Sequence, residues 1–155
     1  MERPFYKRLL FSDKVLGPVG GGGQFDRVLI DAPCSATGLR PRLTFGEGDL
    51  HIDSLSQIQR RLIQRGCGLL KAGGTLVYST CSVTKTENEC AVLWAVDNLP
   101  LSLVDATPRV GGPSPHDAHG QVLSADECGM VQRFCPVQGR SIGFFLAKFR
   151  KRMYN

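Results

Sequence analysis

The sequence predicts an α/β protein built around a layered sheet. Short apolar, β-rich runs at 28–30, 75–81 and 142–149 read as strands. Helical periodicity fills the intervals between them, and the two patterns alternate as strand, helix, strand, helix, strand, loop, strand. A chain of 155 residues, 42% of them hydrophobic, can bury one core of this kind.

The first 24 residues end in a glycine run at 20–23, preceded by Pro18, with no following G-K-[ST]. They read as a flexible leader and connector, not a phosphate loop. In the next segment, FDRVLIDAPC, the unbroken apolar stretch at 28–30 suits a strand buried on both faces. It stops at Asp31, and Pro33 prevents easy continuation. Between 54 and 70, Leu55, Ile58, Leu62, Ile63, Leu69 and Leu70 form an apolar stripe, opposite Gln57, Arg60, Arg61 and Gln64. Gly66 and Gly68 each weaken that helix by about 1 kcal/mol relative to alanine. Lys71-Ala72-Gly73-Gly74 is expected to stop it.

A second β-rich run then leads to Cys81, and Thr84 with Glu87 has capping-box spacing for another helix carrying Val92, Leu93 and Val96. Residues 101–104 suit a short strand, 107–121 a long surface loop, and 142–149 a further strand. No internal repeat is present.

Composition narrows the function classes. The formal charge of +5 is compatible with a polyanionic partner. No apolar run approaches the length of a membrane span, and the amino-terminal residues lack a signal-peptide pattern, so the expected setting is a reducing, cytoplasmic one. The six cysteines, at 34, 67, 81, 90, 128 and 135, include no C-x-x-C pair. His116 and His119 lie in a loop without cysteine ligands at metal spacing, and no metal is expected.

Ligands of open α/β sheets bind beyond the carboxyl ends of the strands. Two strands here finish at that rim with a cysteine, in Asp31-Ala32-Pro33-Cys34 and in Ser79-Thr80-Cys81. Neighbouring strands would let the thiols face each other across a cleft. Two small buried strand-end residues would explain the same positions.

The surrounding residues carry a resemblance. FDRVLIDAPCS, a Gln-containing helix ending LLKAGG, LVYSTCS and Glu87-Asn88-Glu89 follow one another in that order. The closing Gln132-Arg133-Phe134, Pro136 and Gly143-Phe144-Phe145-Leu146-Ala147 complete the set. Together, over residues 24–150, they resemble the Sun-domain family of RNA (cytosine-5) methyltransferases. Leu39-Arg40-Pro41, Gly111-Gly112 and the ending SIGFFLAKF are similar to the branch that methylates the tRNA acceptor end.

The resemblance implies the carboxy-terminal half of a Rossmann-like seven-stranded methyltransferase sheet over residues 25–150, followed by a basic tail at 151–155. It implies S-adenosylmethionine as cofactor and RNA, specifically tRNA, as partner, with neither membrane nor metal. Cytosine C5 is a poor nucleophile until a thiolate adds at C6. The resemblance makes Cys81 that thiolate, gives Cys34 the release of product, and places Asp31 beside the methyl donor and target base. The attacking thiolate must be available near neutral pH, which asks for donors or positive charge around it. Lys85 is the nearest such charge in sequence, and a solvated loop lysine explains it equally.

The chain departs from the pattern in places. The family's glycine-containing donor loop, of Ala-Pro-Gly-Gly-Lys character, has no counterpart before Asp31. The chain alone is therefore expected to bind the donor weakly or not at all. Ala36 stands where the Pro-Cys-Ser-Gly loop usually has glycine, and the stretch 137–141 is short. Arg40, Arg42, Arg60, Arg61 and the run at 150–152 are candidate phosphate contacts, the last expected to fray in the free chain. The alternative function is a catalytically silent form acting as an RNA- or protein-interaction module.

Overall fold

The computed structural model describes residues 23–39, 51–115, 122–136 and 141–153. The leader up to residue 22, Arg40, Arg42, His116 and His119 lie outside them. The elements run β1 (Phe25–Asp31), α1 (Ile52–Leu69), β2 (Leu70–Thr80), α2 (Glu89–Asn98), β3 (Leu101–Val104), α3 (Ala125–Met130), β4 (Gln132–Phe134) and β5 (Phe144–Lys151).

The sheet order is β1-β2-β5-β3, with β4 also paired to β5. β1 and β2 are parallel, and β5 runs antiparallel to β2, β3 and β4. The α/β class expected from the sequence is thus observed, in a mixed sheet of five described strands. The α1 crossover brings β2 beside β1, so both strands end at the same rim. Asp31 sits opposite Ser79 there.

Alternation along the strands sends Leu76 and Tyr78 of β2, and Phe145, Ala147 and Phe149 of β5, into one core with Ile63, Cys67, Ala91, Val92 and Ala95 of the helices. β1 departs from the expectation of burial on both faces. Ile30 is buried, but Leu29 is 71% exposed. Helix α1 packs against β1, whereas nothing among the described residues covers the Leu29 side.

The α1 stripe is also rotated from the apolar one read in the sequence. Its buried residues are Ser56, Gln59, Ile63, Gly66 and Cys67, while Leu55, Ile58, Leu62 and Leu69 are half-buried. Close approach to the sheet explains this. A Cβ on Gly66 would lie 2.8 Å from Ile30 Cδ1 and 3.0 Å from Leu76 Cδ1. Gly66 thus makes room for the sheet as well as costing helix propensity. The helix ends at Leu69, and Leu70 is already extended. Lys71 to Gly74 instead form an irregularity between the Phe25–Leu70 and Arg27–Thr75 pairs of the β1–β2 ladder.

The basic run near the carboxyl end does not fray. The Lys151 ammonium donates to the Cys67 and Leu70 carbonyls, at the end of α1. The Arg152 guanidinium donates to the carbonyls of Val96, Leu99 and Leu101, at the end of α2. Both cations sit at the negative end of a helix dipole. Arg150 donates to the Gly73 carbonyl. These partners make the run a clasp within the fold.

Candidate active site

The two predicted cysteines come together at the rim. Cys34 Sγ lies 3.2 Å from Cys81 Sγ, and both residues are half-buried. Burial, then the contact with the Cys81 thiol, pushes the Cys34 thiol up to about 12. Cys34 therefore keeps its proton at neutral pH and can donate it to Cys81 Sγ. The other four cysteines have different settings. Cys67 and Cys128 are buried in the core, Cys90 lies half-buried on α2, and Cys135 is exposed.

Backbone bonds lace the two loops and β5 together. Ala32 N–H donates to the Ser79 carbonyl, and Gly38 N–H donates to that of Cys81, at 3.0 Å. Gly143 N–H donates in turn to the Gly38 carbonyl, at 2.8 Å. Gly38 and Gly143 meet so closely that a Cβ on either would stand 2.7 Å from the other's Cα. Ala36 has φ 55°, a region that alanine enters at a cost.

Glu87 stands at capping-box spacing from Thr84, but its carboxylate turns inward and α2 begins two residues later. Burial raises the Glu87 carboxyl, but hydrogen bonds from Ser35, Ser82 and Thr84 outweigh it and hold the group below its ordinary value. Oε1 accepts from Ser35 N–H at 2.8 Å and from Gln59 Nε2 at 3.0 Å. Oε2 accepts from the hydroxyls of Ser35 and Ser82, each at 2.6 Å, and of Thr84 at 2.9 Å. The Tyr78 hydroxyl donates to the Glu87 carbonyl. Asn88 accepts from the Thr80 hydroxyl and donates to the Ser82 carbonyl.

A second buried acid braces the outer side. Glu89 pairs with Arg133 through two bonds of 2.6 Å, and Arg133 also donates to the Val83 carbonyl in the Cys81 loop. The motif residues Glu87, Asn88, Glu89 and Arg133 are thus loop ties. Sequence patterning offered no signal for Gln59, which lies on the mostly apolar helix side and reaches both Glu87 and the Pro33 carbonyl.

Asp31 lies exposed at the end of β1, where one carboxylate oxygen accepts from the Ser79 hydroxyl at 3.2 Å. Arg60 stacks over the Trp94 ring at 5.7 Å, and Arg61 is exposed on α1. No group of metal-ligating side chains gathers among the described residues. No described helix is long and apolar enough to cross a membrane.

An α/β sheet with a facing thiol pair at its rim defines a class of cysteine-bearing, Rossmann-like proteins, and comparison narrows it. The family described as 16S rRNA methyltransferase RsmB/F matches residues 12–150. The rRNA (cytosine-C(5))-methyltransferase NOP2C of Arabidopsis thaliana is 43% identical over 135 residues, spanning 81% of this chain and 22% of the relative. The tRNA (cytosine(72)-C(5))-methyltransferase NSUN6 of Homo sapiens is 36% identical over 152 residues, spanning 82% of this chain and 32% of the relative. The crystal structure of NSun6 from Pyrococcus horikoshii with SFG superposes with a TM-score of 0.68 at 35% identity, covering 81% of this chain and 30% of that one. The chain belongs to the RsmB/F methyltransferase family. It spans only about a fifth to a third of the length of these relatives.

Proposed function

We propose that the chain carries the cysteine pair of an S-adenosylmethionine-dependent RNA (cytosine-5) methyltransferase acting on tRNA. One observation carries the reading: two thiols from adjacent strand ends stand 3.2 Å apart. Cys81 is then the group that adds to cytosine C6, making C5 nucleophilic. After C5 accepts the methyl group, a base takes the C5 proton, the freed electron pair re-forms the C5–C6 double bond, and the bond from Cys81 to C6 breaks with the thiolate leaving. Cys34, a thiol beside Cys81, assists that release.

Asp31 suits one contact to the donor, because its carboxylate is exposed at the rim three residues from Cys34. The bound donor supplies an electrophilic methyl group. Asp31 would hold its polar groups. The names of the human and Pyrococcus relatives, both tRNA (cytosine(72)-C(5))-methyltransferases, support tRNA as the substrate class.

Trapping tests the reading. The protein, alone and extended upstream, is incubated with 5-fluorocytosine-containing tRNA and S-adenosylmethionine and run on a denaturing gel. The extended protein should give a covalent adduct that Cys81→Ala abolishes, and Cys34→Ala should accumulate an adduct on ordinary tRNA. An adduct that persists in Cys81→Ala, or none from the extended protein, refutes the mechanism.

A further inference from the structure

Glu87 is fully buried, and its carboxylate gathers donors from three separate segments. Ser35 gives both its N–H and its hydroxyl, Ser82 and Thr84 give hydroxyls, and Gln59 of α1 gives an amide N–H. Ser35 directly follows Cys34, and Ser82 directly follows Cys81. Gln59 also donates to the Pro33 carbonyl, so the residues on both sides of Cys34 are tied to this cluster.

A buried carboxylate is unfavourable unless its lone pairs are satisfied, and an apolar residue would fill the same space at less cost. A general core acid would draw donors from wherever they were available. Here two of the four donor residues directly follow the two cysteines, and a third, Gln59, also holds the Pro33 carbonyl just before Cys34. We propose that Glu87 is a positioning residue whose carboxylate fixes the spacing of Cys34 and Cys81 by gripping the residue after each. This rests on the methyltransferase reading only for its catalytic meaning. Addition and release at one pyrimidine ring by two thiols tolerate little misplacement.

Thiol–disulfide exchange measures the spacing directly. The 155-residue chain is equilibrated in buffers of glutathione and glutathione disulfide. One glutathione disulfide oxidises the Cys34–Cys81 pair through a mixed disulfide: its own sulfur–sulfur bond breaks, a new one forms between the two protein sulfurs, and the two thiol protons leave on two molecules of glutathione. Mass spectrometry of alkylated peptides then gives the effective concentration of the pair. Glu87→Gln keeps the shape but weakens the charge-assisted bonds, and should lower that value by roughly tenfold. Ile63→Val, which trims the buried α1 face one turn beyond Gln59 without touching a polar tie, should leave it within about twofold.

A Glu87→Gln value within about twofold of wild type overturns the proposal, as does an equal fall in Ile63→Val. Should near-ultraviolet circular dichroism show Glu87→Gln unfolded, Ser35→Ala and Ser82→Ala take its place, each expected to lower the value by roughly threefold. No fall in either of those also overturns it. The assay contains neither RNA nor methyl donor, so its failure is separate from a failure of the trapping experiment.

Discussion

Replacing Gly38 with alanine tests whether the three strands of backbone behind the thiol pair are as tightly laced as they look. The dihedrals at Gly38 do not demand glycine, since its φ lies outside the left-handed region, so any cost must come from space. The added Cβ would stand 2.7 Å from the Gly143 Cα and carbonyl oxygen and 2.8 Å from the Cys81 carbonyl oxygen. Ordinary contact begins near ~3.5 Å, and all three atoms are backbone, which cannot rotate away. The loops must part by about 0.8 Å to reach ordinary contact, stretching the bonds from Gly38 N–H to Cys81 and from Gly143 N–H to Gly38. Two weakened bonds at about 1 kcal/mol each, plus overpacking, give a loss of roughly 2–3 kcal/mol. The lower unfolded-state entropy of alanine offsets less than ~1 kcal/mol. Urea unfolding followed by fluorescence of Trp94, the chain's single tryptophan, reads the difference. Gly143→Ala strikes the same contact, so the double variant should lose less than the sum. A Gly38→Ala protein as stable as wild type, or more so, would refute the packing argument.

Other outcomes follow from the same loops. Ala36→Gly should stabilise the fold by about 1 kcal/mol, because glycine relieves the φ of 55°; a lower urea midpoint in that variant contradicts it. Arg133→Ala leaves the 4%-exposed Glu89 without its cation and should cost about 3 kcal/mol in the same assay; a loss below about 1 kcal/mol would show that the Ser114 hydroxyl, which also donates to Glu89 Oε1, alone satisfies the carboxylate. Cys34 adds a pH dependence of stability. Its folded value of about 12 exceeds the ordinary 9.0, so above 9 the unfolded chain binds fewer protons than the folded one. Stability from this group is complete below about pH 9 and lost as pH rises towards 12. The wild-type protein should therefore lose more stability than Cys34→Ser between about pH 8 and pH 10, and equal losses would contradict the assignment.

The parts of this molecule that sequence revealed are those governed by local pattern. Alternation and short β-rich runs gave β1, β2, β3 and β5 their places, because side chains on a pleated strand repeat every two residues. Strand ends at a common rim then brought Cys34 and Cys81 together by topology. Tertiary approach governs what was missed. Gly66 reads as a helix defect until the Ile30 and Leu76 side chains are seen against it. The three-residue spacing of Thr84 and Glu87 is the same for a capping box as for an acid folded inward. Only the hydroxyls of Ser35 and Ser82, one of them 52 residues away in sequence, decide between the two. Leu29 reads as buried because its neighbours in sequence are apolar, whereas burial depends on what lies over that face.

The exposed Leu29 face takes no part in the ties that set the thiol pair. Every tie that sets the pair, from Glu87, Gln59, Asn88 and Arg133 to the Gly38–Gly143 contact, runs between β1, α1, β2, α2, β4 and β5 or the loops joining them. None passes through the uncovered side of β1. Preorganisation is therefore local: the loops hold their geometry through buried polar bonds, independent of what meets Leu29. If so, the effective concentration of Cys34 and Cys81 should be the same, within about twofold, in the 155-residue chain and in a version extended upstream. A rise of roughly tenfold on extension would mean that contacts on the Leu29 face complete the pair, and that the carboxylate of Glu87 is not sufficient to set it.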